Sequence, residues 1–79
     1  MDDRALQRLR WRSRRGLLEL DLVFDRFWAG AGAGMTREEA AALEALLQLP
    51  DNDLLDVVMG RAEAPDAKLR GVVDMLRAA

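Results

Sequence analysis

Apolar residues recur along the chain at helical spacing. Leu17, Leu20, Phe24, Phe27 and Trp28 fall at i, i+3, i+7, i+10 and i+11, which puts them on one face of a helix. Leu18, Leu22 and Val23 add apolar surface elsewhere, so this segment, from about Leu17 to Trp28, is predicted to be the central core helix. Leu69, Val72, Val73 and Leu76 repeat at i, i+3, i+4 and i+7, a clean amphipathic stripe near the C-terminus. Leu43, Leu46 and Leu47 form the buried stripe of a third segment, and a short fourth bears Leu54, Leu55, Val58 and Met59. A weaker helix is predicted from about Asp3 to Ser13. Leu6 and Leu9 share one of its faces with Ser13 close by, and arginines fill the others. Such a helix needs a partner to persist.

The intervening residues carry start and stop signals. Asp2 or Asp3 is placed to cap the first helix, and Gly16 breaks the chain before the second. Residues 29–34 read Ala-Gly-Ala-Gly-Ala-Gly and are predicted to be a flexible loop. Thr36-Arg37-Glu38-Glu39 fits a capping box, in which Thr36 and Glu39 satisfy each other's backbone N–H groups. Pro50 is expected to end the third helix and Asp51 to cap the fourth. Gly60 closes the fourth and Pro65-Asp66 opens the fifth. Strand formers are scarce, with no Ile or Tyr, one Thr and five Val. The expected fold is all-α, a compact bundle of about five short helices forming one domain over residues 1–79. Its predicted core is Leu6, Leu9, Leu20, Phe24, Phe27, Leu43, Leu46, Leu47, Leu54, Leu55, Val58, Val72, Val73 and Leu76.

Composition narrows the chemistry. A chain of 79 residues is too small for a two-lobed enzyme with a buried cofactor cleft. With no Cys and no His, it lacks disulfides, thiol nucleophiles, the usual zinc ligands and histidine acid–base chemistry. The glycine run has no following Lys-Ser/Thr and no preceding strand, so it is neither a P-loop nor a dinucleotide fingerprint. Glu19 and Asp21 lie two apart on a helix and do not face each other, so they make no acid–base dyad. An enzyme is therefore not expected. Apolar runs fall far short of the roughly 20 residues that span a bilayer, and Met1-Asp2-Asp3-Arg4 has no apolar signal region. A cytoplasmic protein with no membrane insertion is expected.

The net charge of −2 hides a polarity. Residues 1–15 hold six Arg against two Asp, a sum of +4, and residues 16–79 hold six basic and twelve acidic groups, a sum of −6. Eleven of the twelve basic residues are Arg, whose planar donor fork suits carboxylates, phosphates and interfaces. The basic end contains the one stretch that looks chemical, Leu9 to Asp21. It has two readings. In the first, Gly16 supplies a positive φ at the end of the helix and Glu19 sits favourably in the first turn of the next, while the arginines decorate a solvated face. In the second, Gly16 lets a partner backbone approach closely. Arg15 and Glu19 then make charge-assisted hydrogen bonds across the interface. Trp11 lies off the Leu6/Leu9 face and is exposed, and Trp and Arg are the types most enriched at interface hot spots.

Trp11-x-Ser13-Arg14-Arg15-Gly16-Leu17-Leu18-Glu19-Leu20-Asp21 resembles the signature of the succinate dehydrogenase assembly factors, also called FAD assembly factors or flavinators. The Arg-Gly-x-x-Glu core of that signature is matched by Arg15, Gly16 and Glu19. The likeness extends through Phe24 and Phe27, Met35-Thr36-Arg37-Glu38-Glu39, the run from Leu46 to Leu54, and Ala64-Pro65-Asp66. The chain departs from the family pattern at Val57, where a Trp is common, in the 29–34 loop, and in stopping at Ala79.

The resemblance implies a five-helix fold and a chaperone-like role in covalent flavinylation. The implied partner is the flavoprotein subunit of succinate dehydrogenase, and sometimes that of fumarate reductase. FAD becomes linked to a histidine of that subunit. The factor holds no FAD stably by itself, because the cofactor belongs to the flavoprotein. In this reading Gly16 permits close approach, Arg15 and Glu19 make polar contacts near the flavin site, and Arg14, Trp11, Arg10 and Asp21 support them. The alternative is an antitoxin-like or nucleic-acid-binding regulator using the Arg-rich first helix. The acidic remainder of the chain and a pI near 5.0 count against nucleic acid as a partner. The sequence leaves oligomeric state open, with Trp11 and Trp28 as the side chains that an exposed position would make available for pairing.

Overall fold

The computed structural model describes residues 3–79, with side chains from Arg4 onward. Five helices follow in order: α1 (Asp3–Arg12), α2 (Leu18–Ala29), α3 (Arg37–Leu46), α4 (Asp51–Val58) and α5 (Arg70–Ala78). Short 3-10 turns at Ala31–Gly34 and Ala67–Leu69 join α2 to α3 and precede α5. The all-α expectation holds among the described residues. The cap expected of Asp2 or Asp3 lies outside the residues whose side chains are described.

α5 touches α2, α3 and α4, so its Val72, Val73 and Leu76 plug the centre. Leu20, Val23, Phe24, Phe27 and Trp28 of α2 are buried against that centre, as are Leu43 and Leu46 of α3 and Leu54, Val57 and Val58 of α4. Burying each large apolar side chain contributes about 1.5–3 kcal/mol, whereas an exposed ion pair contributes roughly 0–1. This apolar cluster therefore sets the architecture, and the exposed Arg12–Glu44 and Arg61–Asp56 pairs do not. Phe27 packs edge-on against both Phe24 and Trp28, with centroids 6.4 and 5.1 Å apart. α1 lies at the margin and rests mainly on α3.

Most boundaries follow the expected signals. The Thr36–Glu39 capping box is formed in both directions. Gly60 adopts φ +81°, and the Arg61 and Gly60 N–H groups bond back to the Asp56 and Val57 carbonyls in a Schellman closure. Asp66 caps the second 3-10 turn through the Lys68 N–H.

Several expectations need correction. α3 ends at Leu46, before Pro50, and tightens through Gln48→Ala45 and Leu49→Leu46 hydrogen bonds. Asp51 does not cap α4. It is the first helical residue, Pro50 holds the cap position, and the Asp51 carboxylate is used by Arg15 instead. Residues 29–34 are not a loose loop. Gly32 is buried, and a Cβ there would sit 2.7 Å from the Phe27 ring, so the glycine run is a close-packed turn. Leu6 and Leu55 are only half-buried, while Val23, Trp28, Met35, Ala40, Val57 and Leu69 join the core.

Candidate functional site: the groove between α1 and α2

α1, α2 and the link between them line a surface groove of about 630 Å³. One wall is the face of α1 that carries Gln7, Arg10 and Trp11, continued by Arg14. The other is the face of α2 that carries Asp21, Phe24, Asp25 and Trp28, spaced at i, i+3, i+4 and i+7. Gly16 also lines it, where the chain turns from one helix to the next.

The floor is held by a hydrogen-bond relay. Ser13 is 1% exposed and Trp28 is 6% exposed. The Ser13 hydroxyl donates to the Arg10 carbonyl at 2.6 Å and accepts from the Trp28 indole Nε1–H at 3.0 Å. The same small side chain thereby satisfies an orphan carbonyl at the end of α1 and pins α2 to it. Trp28 belongs to this floor and is buried, so it is not an exposed side chain available for pairing. Trp11 is the opposite case, with 73% of its surface exposed on the groove wall.

Gly16 has φ +75°, a conformation that L side chains rarely adopt. It lies three residues beyond Ser13, so it shapes the inter-helix turn rather than closing α1 directly. A Cβ there would meet nothing within 4 Å. The constraint at Gly16 is thus backbone conformation and open space in front of it, not packing inside this chain.

The predicted site residues divide. Arg10, Trp11, Arg14, Gly16 and Asp21 line the groove together. Glu19 is exposed in the first turn of α2, outside the groove lining. Arg15 turns the other way. Its Nη1 lies 3.3 Å from Asp51 Oδ1 and its Nη2 donates to the Leu47 carbonyl in a short contact, while its Nε is buried without a partner in the chain. Its backbone N–H donates to Asp21 Oδ1 at 3.1 Å. Sequence reasoning missed Gln7, Ser13, Phe24, Asp25 and Trp28 as groove residues. The helical spacing of 7, 10, 11 and 14, and of 21, 24, 25 and 28, was the available signal.

No set of three or more His, Cys, Asp or Glu among the described residues is placed to hold a metal ion. No described helix is long and apolar enough to cross a membrane. Arg12 and Arg15 are paired with Glu44 and Asp51, which removes two of six N-terminal cations from the surface offered to phosphates. What remains is a groove of mixed polar and apolar lining with an exposed indole at its wall.

The family described as flavinator of succinate dehydrogenase matches residues 7–79. The chain belongs to this flavinator family. An FAD assembly factor SdhE of Ralstonia nicotianae is 41% identical over 81 residues, covering 98% of this chain and 85% of its own length. The protein of the same name from Pseudomonas aeruginosa is 40% identical over 75 residues, covering 95% and 89%. That of Legionella pneumophila (strain Lens) is 39% identical over 77 residues, covering 98% and 96%. The family resemblance read from Trp11 to Asp21 is therefore correct, and the flavinator match runs through all five helices.

Proposed function

We propose that this chain is an assembly factor for succinate dehydrogenase. It binds the flavoprotein subunit and promotes covalent attachment of FAD to it, and fumarate reductase flavoprotein is a second candidate partner. One observation carries the reading. In a chain matched by the flavinator family, Arg10, Trp11, Arg14, Gly16 and Asp21 line a single groove bordered by an exposed indole. With no His and no Cys, the chain has little with which to do flavin chemistry. Its role is to bind and position.

The charge balance of the groove supports leaving FAD to the flavoprotein. Asp21 and Asp25 line the groove together with Arg10 and Arg14, and carboxylates near a pyrophosphate repel it. FAD is therefore assigned to the flavoprotein. The mixed charges suit a protein surface bearing both signs, which favours specificity and correct docking.

The test mixes this protein with apo flavoprotein subunit and FAD, then reads flavin fluorescence that survives denaturing electrophoresis. Wild type should raise covalent flavin. Gly16→Arg should fold, since its Cβ enters open space at a local strain of about 1–2 kcal/mol, yet lose most of the stimulation. Glu19→Ala removes an exposed carboxylate worth about 0.3–1 kcal/mol at the α2 N-terminus and should lower stimulation without unfolding the chain. No stimulation by wild type, with a flavoprotein that flavinylates under another factor, would overturn the proposal.

A further inference from the structure

We infer that Arg15 is a positioning residue that presets the left-handed turn at Gly16 before any partner arrives, rather than a residue that touches the partner. The inference rests on the proposed function, because the turn matters as part of the docking surface.

The turn needs a brace. Between Arg12 and Leu18 the chain is outside the helices, and nothing packs within 4 Å of the position a Gly16 Cβ would take. Glycine is the most permissive residue, and fixing one backbone residue costs about 1–2 kcal/mol. Arg15 holds the preceding position from two sides. Its N–H bonds to Asp21 of α2, and its guanidinium spans to the Leu47 carbonyl after α3 and to Asp51 at the start of α4. Leu47 and Asp51 are 32 and 36 residues away in sequence, so the turn is registered against the far side of the bundle.

The Arg15 side chain is 18% exposed, against 43% for Arg12 in its own ion pair. A shielded, charge-assisted pair is less screened than a surface pair. Arg15 is also absent from the groove lining, where its neighbours Arg14 and Gly16 are found. The motif residue that carries the positive charge thus points inward, and the glycine beside it faces out.

The consequence is a population effect. A turn that is competent in only a fraction of molecules raises the apparent dissociation constant by the inverse of that fraction and leaves the saturated state unchanged. If loss of the brace leaves about one molecule in ten competent, half-maximal flavinylation requires about tenfold more factor, at the same final yield.

The experiment compares wild type, Arg15→Ala, Arg15→Lys, Asp51→Ala and the Arg15→Ala/Asp51→Ala double variant. Amide hydrogen exchange is measured on each free protein. The factor concentration for half-maximal covalent FAD attachment to apo flavoprotein subunit is measured alongside the maximal yield.

The expected result is faster exchange confined to residues 14–17 in both alanine variants. Half-maximal concentration should rise about tenfold for Arg15→Ala and severalfold for Asp51→Ala, with maximal yield retained. The double variant should be no worse than Arg15→Ala, because both remove one brace. Arg15→Lys, able to reach one acceptor, should fall between wild type and Arg15→Ala. A rise for Arg15→Ala alone, with unchanged exchange at the turn and a silent Asp51→Ala, would show that Arg15 contacts the partner and overturn the inference. Faster exchange throughout α2 and α5 would equally overturn it in favour of a global stability role. The exchange arm decides the brace even if wild type gives no flavinylation, a result that would sink only the assembly-factor reading.

Discussion

Replacing Ser13 with alanine strands a buried donor. The Trp28 Nε1–H now bonds to Ser13 Oγ at 3.0 Å, and Trp28 is 6% exposed, so water does not readily replace the hydroxyl. An unsatisfied buried donor costs about 1–3 kcal/mol, and the lost bond from Ser13 to the Arg10 carbonyl adds to it. A net loss of about 2 kcal/mol is expected. In a domain of this size each kcal/mol moves Tm by about 4–8 °C, so Ser13→Ala should melt roughly 8–16 °C below wild type. Thermal unfolding followed by circular dichroism at 222 nm measures this directly. Trp28→Phe supplies the control, because it removes the donor and leaves most of the ring. In that background Ser13→Ala should cost less by about 1 kcal/mol or more, since no indole N–H remains to be stranded. Equal costs in the two backgrounds, or a Tm for Ser13→Ala within about 2 °C of wild type, would refute the relay as the link between α1 and α2.

Trp11 and Gly32 test opposite faces of the same structure. Trp11→Ala removes an indole that is 73% exposed, so stability should change by less than about 0.5 kcal/mol. The factor concentration for half-maximal flavinylation should nonetheless rise about tenfold, as for a hot-spot side chain. An unchanged flavinylation curve would remove Trp11 from the docking surface. Gly32→Ala forces a Cβ to 2.7 Å from the Phe27 ring and 2.9 Å from its carbonyl, and should cost about 1–3 kcal/mol by overpacking. Gly34→Ala, with open space at that position, should be neutral or slightly stabilising in the same melt. Equal behaviour of the two glycines would show that the 3-10 turn yields freely.

Much of the site was legible because helical periodicity is local. Once α1 and α2 are drawn with 3.6 residues per turn, Arg10, Trp11 and Arg14 fall on one side, and Asp21 with Trp28 on a side of the other. The positive φ of Gly16 was also readable, from the absence of a Cβ in a short link between two helices. Arg15 was not. A loop arginine can reach in several directions, and its acceptors at Leu47 and Asp51 lie more than 30 residues away. The glycine run was misread for a related reason. Its composition signals freedom, but Phe27 on the preceding helix fills the space that any side chain at Gly32 would need.

The amino-acid order alone determined the helices, their caps at Thr36 and Gly60, and most of the apolar stripes. Each of these depends on neighbours within about four residues, so local spacing carries the information. Membership of the flavinator family was likewise written in the run from Trp11 to Asp21. The tertiary structure alone decided which charges turn inward and which stay available. Asp51 was expected to cap its own helix and instead receives Arg15, and Trp28 is buried with its indole N–H donating a hydrogen bond to Ser13. Both outcomes depend on packing that brings together residues 36 and 15 apart in sequence. That packing brings polar groups together out of water, where each must find a partner, and a local pattern does not specify which one.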